Sequence, residues 1–200
     1  MDHEADIPPS VLQGRSIVVA VCGGIAAFKV AQVVSALAQR GAVVDVAMTA
    51  AARKFVTPLT FATLSGRPVF KGTFSHDAAH TQHIAITEKA DLMLVAPATS
   101  NIIAKVACGL CDDLVSLMIS AAPCPVVFAP AMNNRMWENP IARENREKLA
   151  KHGYKFIEPA EGWLACRNLG AGRLAEPEKI LSEIEWIISE SVARGAKSRV

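Results

Sequence analysis

Short apolar runs rich in β-branched residues alternate along this chain with segments whose apolar residues recur at helical spacing. The first two runs are Ser16–Val21 and Ala42–Met48. Runs without polar alternation are typical of strands that are covered on both faces of a parallel sheet. Between them, four apolar residues have the i, i+3, i+4, i+7 spacing of one helical face: Val30, Val33, Val34 and Leu37.

The same alternation continues to the end of the chain. Further strands are expected at Leu92–Ala96, Pro125–Ala129 and Lys155–Ile157. Further helices are expected over residues 50–56, 58–64, 101–121 with a break near Gly109, 140–152 and 178–188, while 161–173 is Gly-rich and expected to be irregular. This order predicts an α/β fold, namely a Rossmann-like (flavodoxin-like), doubly wound parallel sheet in three layers.

The length of 200 residues suits one domain, which we expect over 16–190, with a disordered leader at 1–15 and a frayed tail at 191–200. The net charge of +2 gives no reason to expect nucleic acid or a membrane surface as a partner. Apolar stretches are interrupted well before the roughly 18 residues that a membrane span requires, and the polar N-terminus does not resemble a signal peptide.

The chain has five cysteines at irregular spacing: Cys22, Cys108, Cys111, Cys124 and Cys166. An odd number without a secretion signal indicates reduced thiols in the cytoplasm. Cys108 and Cys111 form a CxxC pair, but a second pair of matching spacing is missing, so no metal site is expected. On a predicted helix, these two thiols are expected to be small core residues.

Ligands of doubly wound sheets bind at the carboxyl ends of the strands. Four such ends are candidates here: Cys22–Ile25, Thr49, Pro97–Asn101 and Pro130–Asn134. Gly23 and Gly24 allow close approach of a ligand to the first helix N-terminus, although a GxGxxG fingerprint is missing and glycine at such a turn can also serve packing alone.

The polar residues at the other ends also have two interpretations. Thr49 either caps the next helix or holds a phosphate. Thr99, Ser100 and Asn101 form either an extended N-cap or a cradle for a phosphate or ring edge. Asn133 can bind a carboxylate or an amide through its side chain.

Two residues outside the strand ends also carry possible chemistry. His83 is a lone histidine, which is usually structural. Cys166 lies in the Gly-rich segment Gly162–Gly172, near Arg167 and Arg173, where an accessible thiol of lowered pKa is expected.

Four segments resemble the homo-oligomeric flavin-containing cysteine decarboxylase family, over about Ser16–Ile188. Pro130–Trp137 matches the motif PxMNxxMW at every fixed position, and Ala96–Asn101 is similar to the flavin-binding segment of that family. Leu164–Pro177 resembles the substrate-covering flap LACGDxGxGRMxEP. His83-Ile84 with Ala90-Asp91 is similar to the stretch HIEL…WAD.

The resemblance implies FMN as the cofactor. It implies catalytic roles for His83, for Cys166 as the acid that completes a reduction, and for Asn133 on the substrate carboxylate or amide. Met136, Ala165 and Arg167 are expected beside the substrate. The residues expected around FMN are Gly23, Gly24, Ile25, Thr49, Thr99, Ser100, Asn101, Ile102 and Ala131.

The implied reaction is FMN-dependent decarboxylation of 4'-phospho-N-pantothenoylcysteine to 4'-phosphopantetheine in coenzyme A biosynthesis. The enzyme would be a trimer or a dodecamer, and a separate synthetase would supply its substrate. The alternatives are a decarboxylase that forms a C-terminal enethiol on a peptidyl cysteine, and a non-catalytic flavin-binding regulatory subunit. Cys166 in the flap favours the coenzyme A reaction. Arg167, Asn168 and Lys89 depart from the family pattern and leave the exact substrate open.

Overall fold

A computed structural model describes residues 10–72, 86–163 and 169–197, with the side chains of 194–197 left aside. Six strands form a parallel sheet in the order β3-β2-β1-β4-β5-β6. Their bounds are β1 Ser16–Val21, β2 Val43–Met48, β3 Val69–Phe70, β4 Leu92–Ala98, β5 Val126–Pro130 and β6 Lys155–Phe156. The predicted α/β fold class is confirmed, and β1 lies at the point where the strand order reverses.

Helices connect these strands. They are α1 Ala27–Gln39, a 3-10 helix at Ala52–Lys54, α2 Pro58–Ser65, α3 Ser100–Ala107, α4 Leu114–Ala121, a short α5 at Asn134–Trp137, α6 Pro140–Lys151 and α7 Pro177–Lys197. None of the helices within the described ranges has both the length and the apolar character needed to cross a lipid bilayer.

The sheet is covered on both faces, as the apolar runs predict. Val19 and its neighbours on one face pack with the buried sides of α1 and α7. Val18 and Ala20 on the opposite face pack with residues of α3 and α4. Since every residue of 17–21 is fully buried, the unbroken apolar character of β1 follows from its central position.

The break expected near Gly109 in the helical segment 101–121 is confirmed, and the segment forms two helices. Gly109 adopts φ +70, which ends α3, and Asp113 caps α4 by accepting a hydrogen bond from the Ser116 backbone N–H. The expectation that Cys108 and Cys111 are core residues is wrong, because both lie in the loop between the helices and are exposed.

The expectation of an irregular segment over 161–173 is also wrong for its described part. β7 Ala160–Trp163 and β8 Leu169–Arg173 form an antiparallel hairpin. From the sequence, the glycines of this segment suggest a flexible loop. In the structure they allow the hairpin to pack closely against neighbouring residues. Gly172 has φ +126, and a Cβ there would clash with the carbonyl oxygen of Met132.

Several expected boundaries differ from those of the structure. Residues 10–15 are not part of a disordered leader, because Leu12 is fully buried and the Gly14 N–H donates to the Gly41 carbonyl. The last helix continues past 188 to Lys197, through most of the expected tail. Residues 50–56 form only the 3-10 helix and its flanking turns. The division into leader, domain and tail otherwise stays a prediction.

Candidate functional site

A cavity of about 930 Å³ lies at the carboxyl ends of β1, β2, β4 and β5. It brings together the four strand ends that the sequence indicates. Its lining includes these residues expected around a cofactor or substrate: Gly23, Gly24, Ile25, Thr49, Thr99, Ser100, Asn101, Ile102, Ala131, Asn133 and Met136. His83, Ala165, Cys166 and Arg167 lie outside the described residues, so their expected roles remain predictions.

The two glycines after β1 do different things. A Cβ on Gly23 would collide with Ala51, so this glycine allows the loops after β1 and β2 to touch. A Cβ on Gly24 would meet nothing closer than 3.8 Å, and the space beside it belongs to the cavity. Gly23 therefore serves packing, while Gly24 leaves room for a ligand at the start of α1. No side-chain hydrogen bond caps this helix.

Thr49 and Thr99 both accept a capping hydrogen bond and line the cavity, so the two interpretations of these residues do not exclude each other. The Thr49 hydroxyl accepts from the Ala52 N–H at 3.1 Å, and the Thr99 hydroxyl accepts from the Ile102 N–H at 3.3 Å. A hydroxyl that accepts one hydrogen bond still has its own O–H to donate. Both side chains line the cavity, so both are able to donate to an anionic ligand.

An ion-pair network borders the same cavity. Lys105 Nζ lies 2.7 Å from an oxygen of Asp112 and 2.7 Å from an oxygen of Asp113. The hydrogen bonds that Lys105 donates to these two carboxylates raise the pKa of Lys105. Burial opposes ionisation of Asp113, but the Lys105 hydrogen bond and the Ser116 N–H outweigh it and lower the pKa of Asp113.

Cys22 follows β1 and also lines the cavity. Burial, with a smaller contribution from the charge of Asp113, raises the pKa of the Cys22 thiol to about 12. The thiol is therefore neutral at physiological pH and is not poised as a nucleophile.

Asn133 begins α5 within the PxMNxxMW segment. Its Oδ1 accepts from the Arg135 N–H at 2.8 Å, which identifies the oxygen and nitrogen of the amide by their bonding. Because Oδ1 is engaged by the turn, the Nδ2 group is the part of the amide that can donate to a ligand. Arg135 itself is exposed and does not line the cavity.

The hairpin forms one wall of the cavity through Trp163, Gly172 and Arg173. Glu176 pairs with both Arg173 and Lys29, and so ties the end of β8 to α1. Arg173 and Lys29 face the cavity, and each already has a carboxylate partner.

The outer part of the cavity is apolar and open. Ile25, Phe28, Met136 and Trp163 line it with about half of each side chain exposed. Sequence reasoning missed Phe28, Trp163, Lys105 and Asp113. Lys105 lies on α3 and Asp113 is the N-cap of α4, and no spacing rule connects these two residues. Across the described ranges, no group of three or more His, Cys, Asp or Glu residues is arranged to hold a metal ion.

Comparisons with known proteins agree on one family. The model of the Flavoprotein family matches residues 7–189. The coenzyme A biosynthesis bifunctional protein CoaBC of Bacillus subtilis is 44% identical over 184 residues, covering 92% of this chain and 45% of that protein. The chain thus spans slightly less than half the length of the bifunctional relatives that it matches.

A shorter relative matches over nearly its full length. The probable phosphopantothenoylcysteine decarboxylase of Streptococcus mutans is 42% identical over 174 residues, covering 86% of this chain and 97% of that protein. Among solved structures, the FMN-dependent cysteine decarboxylase SpaF is similar with a TM-score of 0.79 at 30% identity, covering 92% of this chain and 99% of that one. The chain belongs to the Flavoprotein family.

Proposed function

We propose that this chain binds FMN and decarboxylates 4'-phospho-N-pantothenoylcysteine to 4'-phosphopantetheine, a step of coenzyme A biosynthesis. The observation that carries the proposal is the convergence of the PxMNxxMW segment and the β1 and β4 loops on one cavity. The family match and the relative from Streptococcus mutans support the same reaction.

The residues of the cavity fit a flavin mononucleotide. Threonine hydroxyls and the uncapped start of α1 offer donors for a phosphate, and the outer wall offers an apolar surface for a flat ring. The volume of about 930 Å³ lies within the range of about 300–1,000 Å³ that ligand pockets occupy. Gly24, Thr49, Thr99, Ser100 and Ala131 are the residues that we expect to hold the group.

FMN, when bound, supplies a reversible hydride acceptor, so the carbon next to the substrate sulfur can be oxidised before CO2 leaves and reduced afterwards. Asn133 binds the substrate carboxylate through Nδ2 and holds it at the reacting end of the cavity. The neutral Cys22 thiol adds no negative charge beside this carboxylate. Asp113 keeps its charge neutralised by Lys105.

The remaining roles rest on the sequence motifs. His83 acts as the base or fixes the substrate, and Cys166 donates the proton that completes the thiol product. Ala165 and Arg167 cover the substrate. These four residues lie outside the described residues, and the described residue Trp163, at the end of β7, lines the cavity.

The assembly and location are part of the proposal. Ile25 and Phe28 are large apolar side chains exposed at the cavity rim. Their exposure favours a homotrimer, or a dodecamer built from trimers, in which a second copy covers this rim. A separate synthetase supplies the substrate. The reduced cysteines favour a cytoplasmic location.

A second candidate is the decarboxylation of a C-terminal peptidyl cysteine to an enethiol. The similarity to SpaF, an FMN-dependent cysteine decarboxylase, is compatible with this reaction. The two substrates differ in the group attached to the cysteine nitrogen.

The test is a competition between the two substrates. Protein reconstituted with FMN is incubated with equal concentrations of 4'-phospho-N-pantothenoylcysteine and a peptide that ends in cysteine, and CO2 release is followed from each carboxylate by isotope labelling. We expect release from the pantothenoyl compound. Preference for the peptide would move the chain to the second reaction, and failure to retain FMN would remove both.

A further inference from the structure

The loop between α3 and α4 presents two cysteines to solvent. Cys108 is the C-cap of α3, and Cys111 lies two residues beyond Gly109, which reverses the chain at φ +70. The N–H of Gly109 donates to the Val106 carbonyl and that of Leu110 to the Lys105 carbonyl, so the turn has fixed geometry. The Cys111 Sγ lies 3.8 Å from the Gly109 carbonyl oxygen.

These two thiols differ from the other described cysteines. Cys22 is buried, and burial raises its pKa to about 12. Cys124 is half-buried, and burial raises its pKa to about 11. Only Cys108 and Cys111, among the cysteines of the described ranges, are both exposed and separated by two residues. Both thiols are therefore accessible to a soluble disulfide, and each is close in sequence to a second thiol with which a mixed disulfide can exchange.

The same loop is joined to the cavity. Asp112 and Asp113 directly follow Cys111, and their carboxylates both contact Lys105 Nζ, three residues before Cys108. Lys105 and Asp113 line the cavity, and Asp113 also accepts the Ser116 N–H at 2.9 Å to begin α4. The loop is therefore held on both sides of the cysteine pair by groups that border the cavity.

We propose that Cys108 and Cys111 form a modification site for low-molecular-weight disulfides, which convert the pair to an intrachain disulfide, and that this change alters the cavity through Asp112, Asp113 and Lys105. With glutathione disulfide, one cysteine thiolate attacks a sulfur of the reagent, a mixed disulfide forms and the first glutathione thiolate leaves. The second cysteine thiolate then attacks the mixed disulfide and releases the second glutathione. Two electrons pass from the pair to the reagent, and the protons of the two cysteine thiols end on the two glutathiones.

The bond forces a movement next to the ion pairs. A disulfide holds its two sulfurs about 2.05 Å apart, so it fixes the position of the Cys111 Sγ, whose present contact is the Gly109 carbonyl oxygen. Asp112 is the next residue, and its contact with Lys105 is the one most directly displaced. The effect on FMN rests on the proposed function, whereas formation of the disulfide does not.

The first measurement is a mass spectrum of the full-length Cys124→Ser protein, because Cys124 would otherwise share a tryptic peptide with the pair. After treatment with glutathione disulfide and blocking of free thiols, we expect the peptide of residues 106–135 to be lighter by two hydrogens and unblocked at both cysteines, and dithiothreitol to reverse the change. Cys108→Ser and Cys111→Ser proteins should each carry one glutathione instead. An unmodified or doubly glutathionylated pair would overturn the site.

The second measurement tests the link to the cavity by two independent readouts. Oxidation should weaken FMN binding, measured by flavin fluorescence, by about three- to tenfold, which corresponds to the loss of one hydrogen bond. It should also speed hydrogen exchange at the Ser116 amide, which does not depend on FMN. The Cys108→Ser/Cys111→Ser protein should show neither effect. A disulfide that changes neither readout would overturn the link, and faster exchange in a protein that never binds FMN would sink the proposed function alone.

Discussion

The backbone N–H of Met132 donates to the carbonyl oxygen of Gly172 over 2.8 Å. This bond joins the PxMNxxMW segment after β5 to the second strand of the hairpin. Asn133, the residue proposed to hold the substrate carboxylate, follows directly. This contact therefore links the position of the Asn133 amide to that of the hairpin wall, and Gly172 is the residue that allows it.

Gly172→Ala should disrupt this contact. The new Cβ would clash with the Met132 carbonyl, and φ +126 is strained for alanine. We expect a lower thermal midpoint and loss of most decarboxylase activity. Gly153→Ala is the matched control, because Gly153 has φ +90 with open space around it. It should bear only the conformational strain of about 1–2 kcal/mol and keep its activity. Equal activity losses in both variants would contradict the role of the Met132 contact.

Asn133→Asp should separate capping from substrate binding. Aspartate caps a helix as well as asparagine does, so stability and FMN content should not change. Its carboxylate would replace the Nδ2 donor and repel the substrate carboxylate, and we expect kcat/KM to fall by about 100-fold or more. Asn139→Asp is the control, since Asn139 caps α6 and does not line the cavity. Activity retained in the Asn133 variant would remove this residue from substrate binding.

Gly23→Ala should affect the stability of the protein, whereas Gly24→Ala should affect its affinity for FMN. A Cβ on Gly23 would clash with Ala51, so this variant should lower the thermal midpoint of the FMN-free protein. A Cβ on Gly24 enters only the cavity, so that variant should keep the FMN-free midpoint but bind FMN about tenfold more weakly. Fluorescence titration and thermal unfolding without FMN measure the two quantities. Unchanged FMN affinity in Gly24→Ala would place the cofactor elsewhere.

The Lys105–Asp113 pair should stabilise the protein over a defined pH range. The pKa of Asp113 is lowered, so its contribution is present above the unfolded value of about 3.9 and is lost as pH falls through the folded value. The pKa of Lys105 is raised, so its contribution is present below about 10.4 and is lost as pH rises through the folded value.

Urea unfolding of the wild type and of Lys105→Met tests this range. The difference between their unfolding midpoints should be constant between about pH 4 and pH 10 and should shrink outside these limits. A difference that does not change with pH would mean that the pair contributes through packing and not through charge.

The sheet could be predicted from the sequence because strands that are buried on both faces are continuous apolar runs. Ser16–Val21 has no polar alternation, and the structure buries that strand at the centre. The strand ends were equally predictable, since parallel strands must bring Gly24, Thr99 and Asn133 to one edge.

Features that depend on contacts between distant segments could not be predicted in this way. Gly172 suggested flexibility in the sequence, although its missing side chain is what allows β8 to approach Met132. Cys108 and Cys111 were expected to be core residues of a helical segment. A break near Gly109 was expected, but a single glycine does not indicate that its turn places both thiols in an exposed loop. The exposure of these thiols, and the ion pairs beside them, follow from that turn.

The central claim is tested most directly by the mass of the product formed from 4'-phospho-N-pantothenoylcysteine by the FMN-loaded protein. We predict one product that is lighter than the substrate by one CO2, which is 4'-phosphopantetheine, with FMN unchanged after turnover. A product lighter by one CO2 and two further hydrogens would contradict the proposed final reduction. Unchanged substrate would contradict the proposed reaction as a whole.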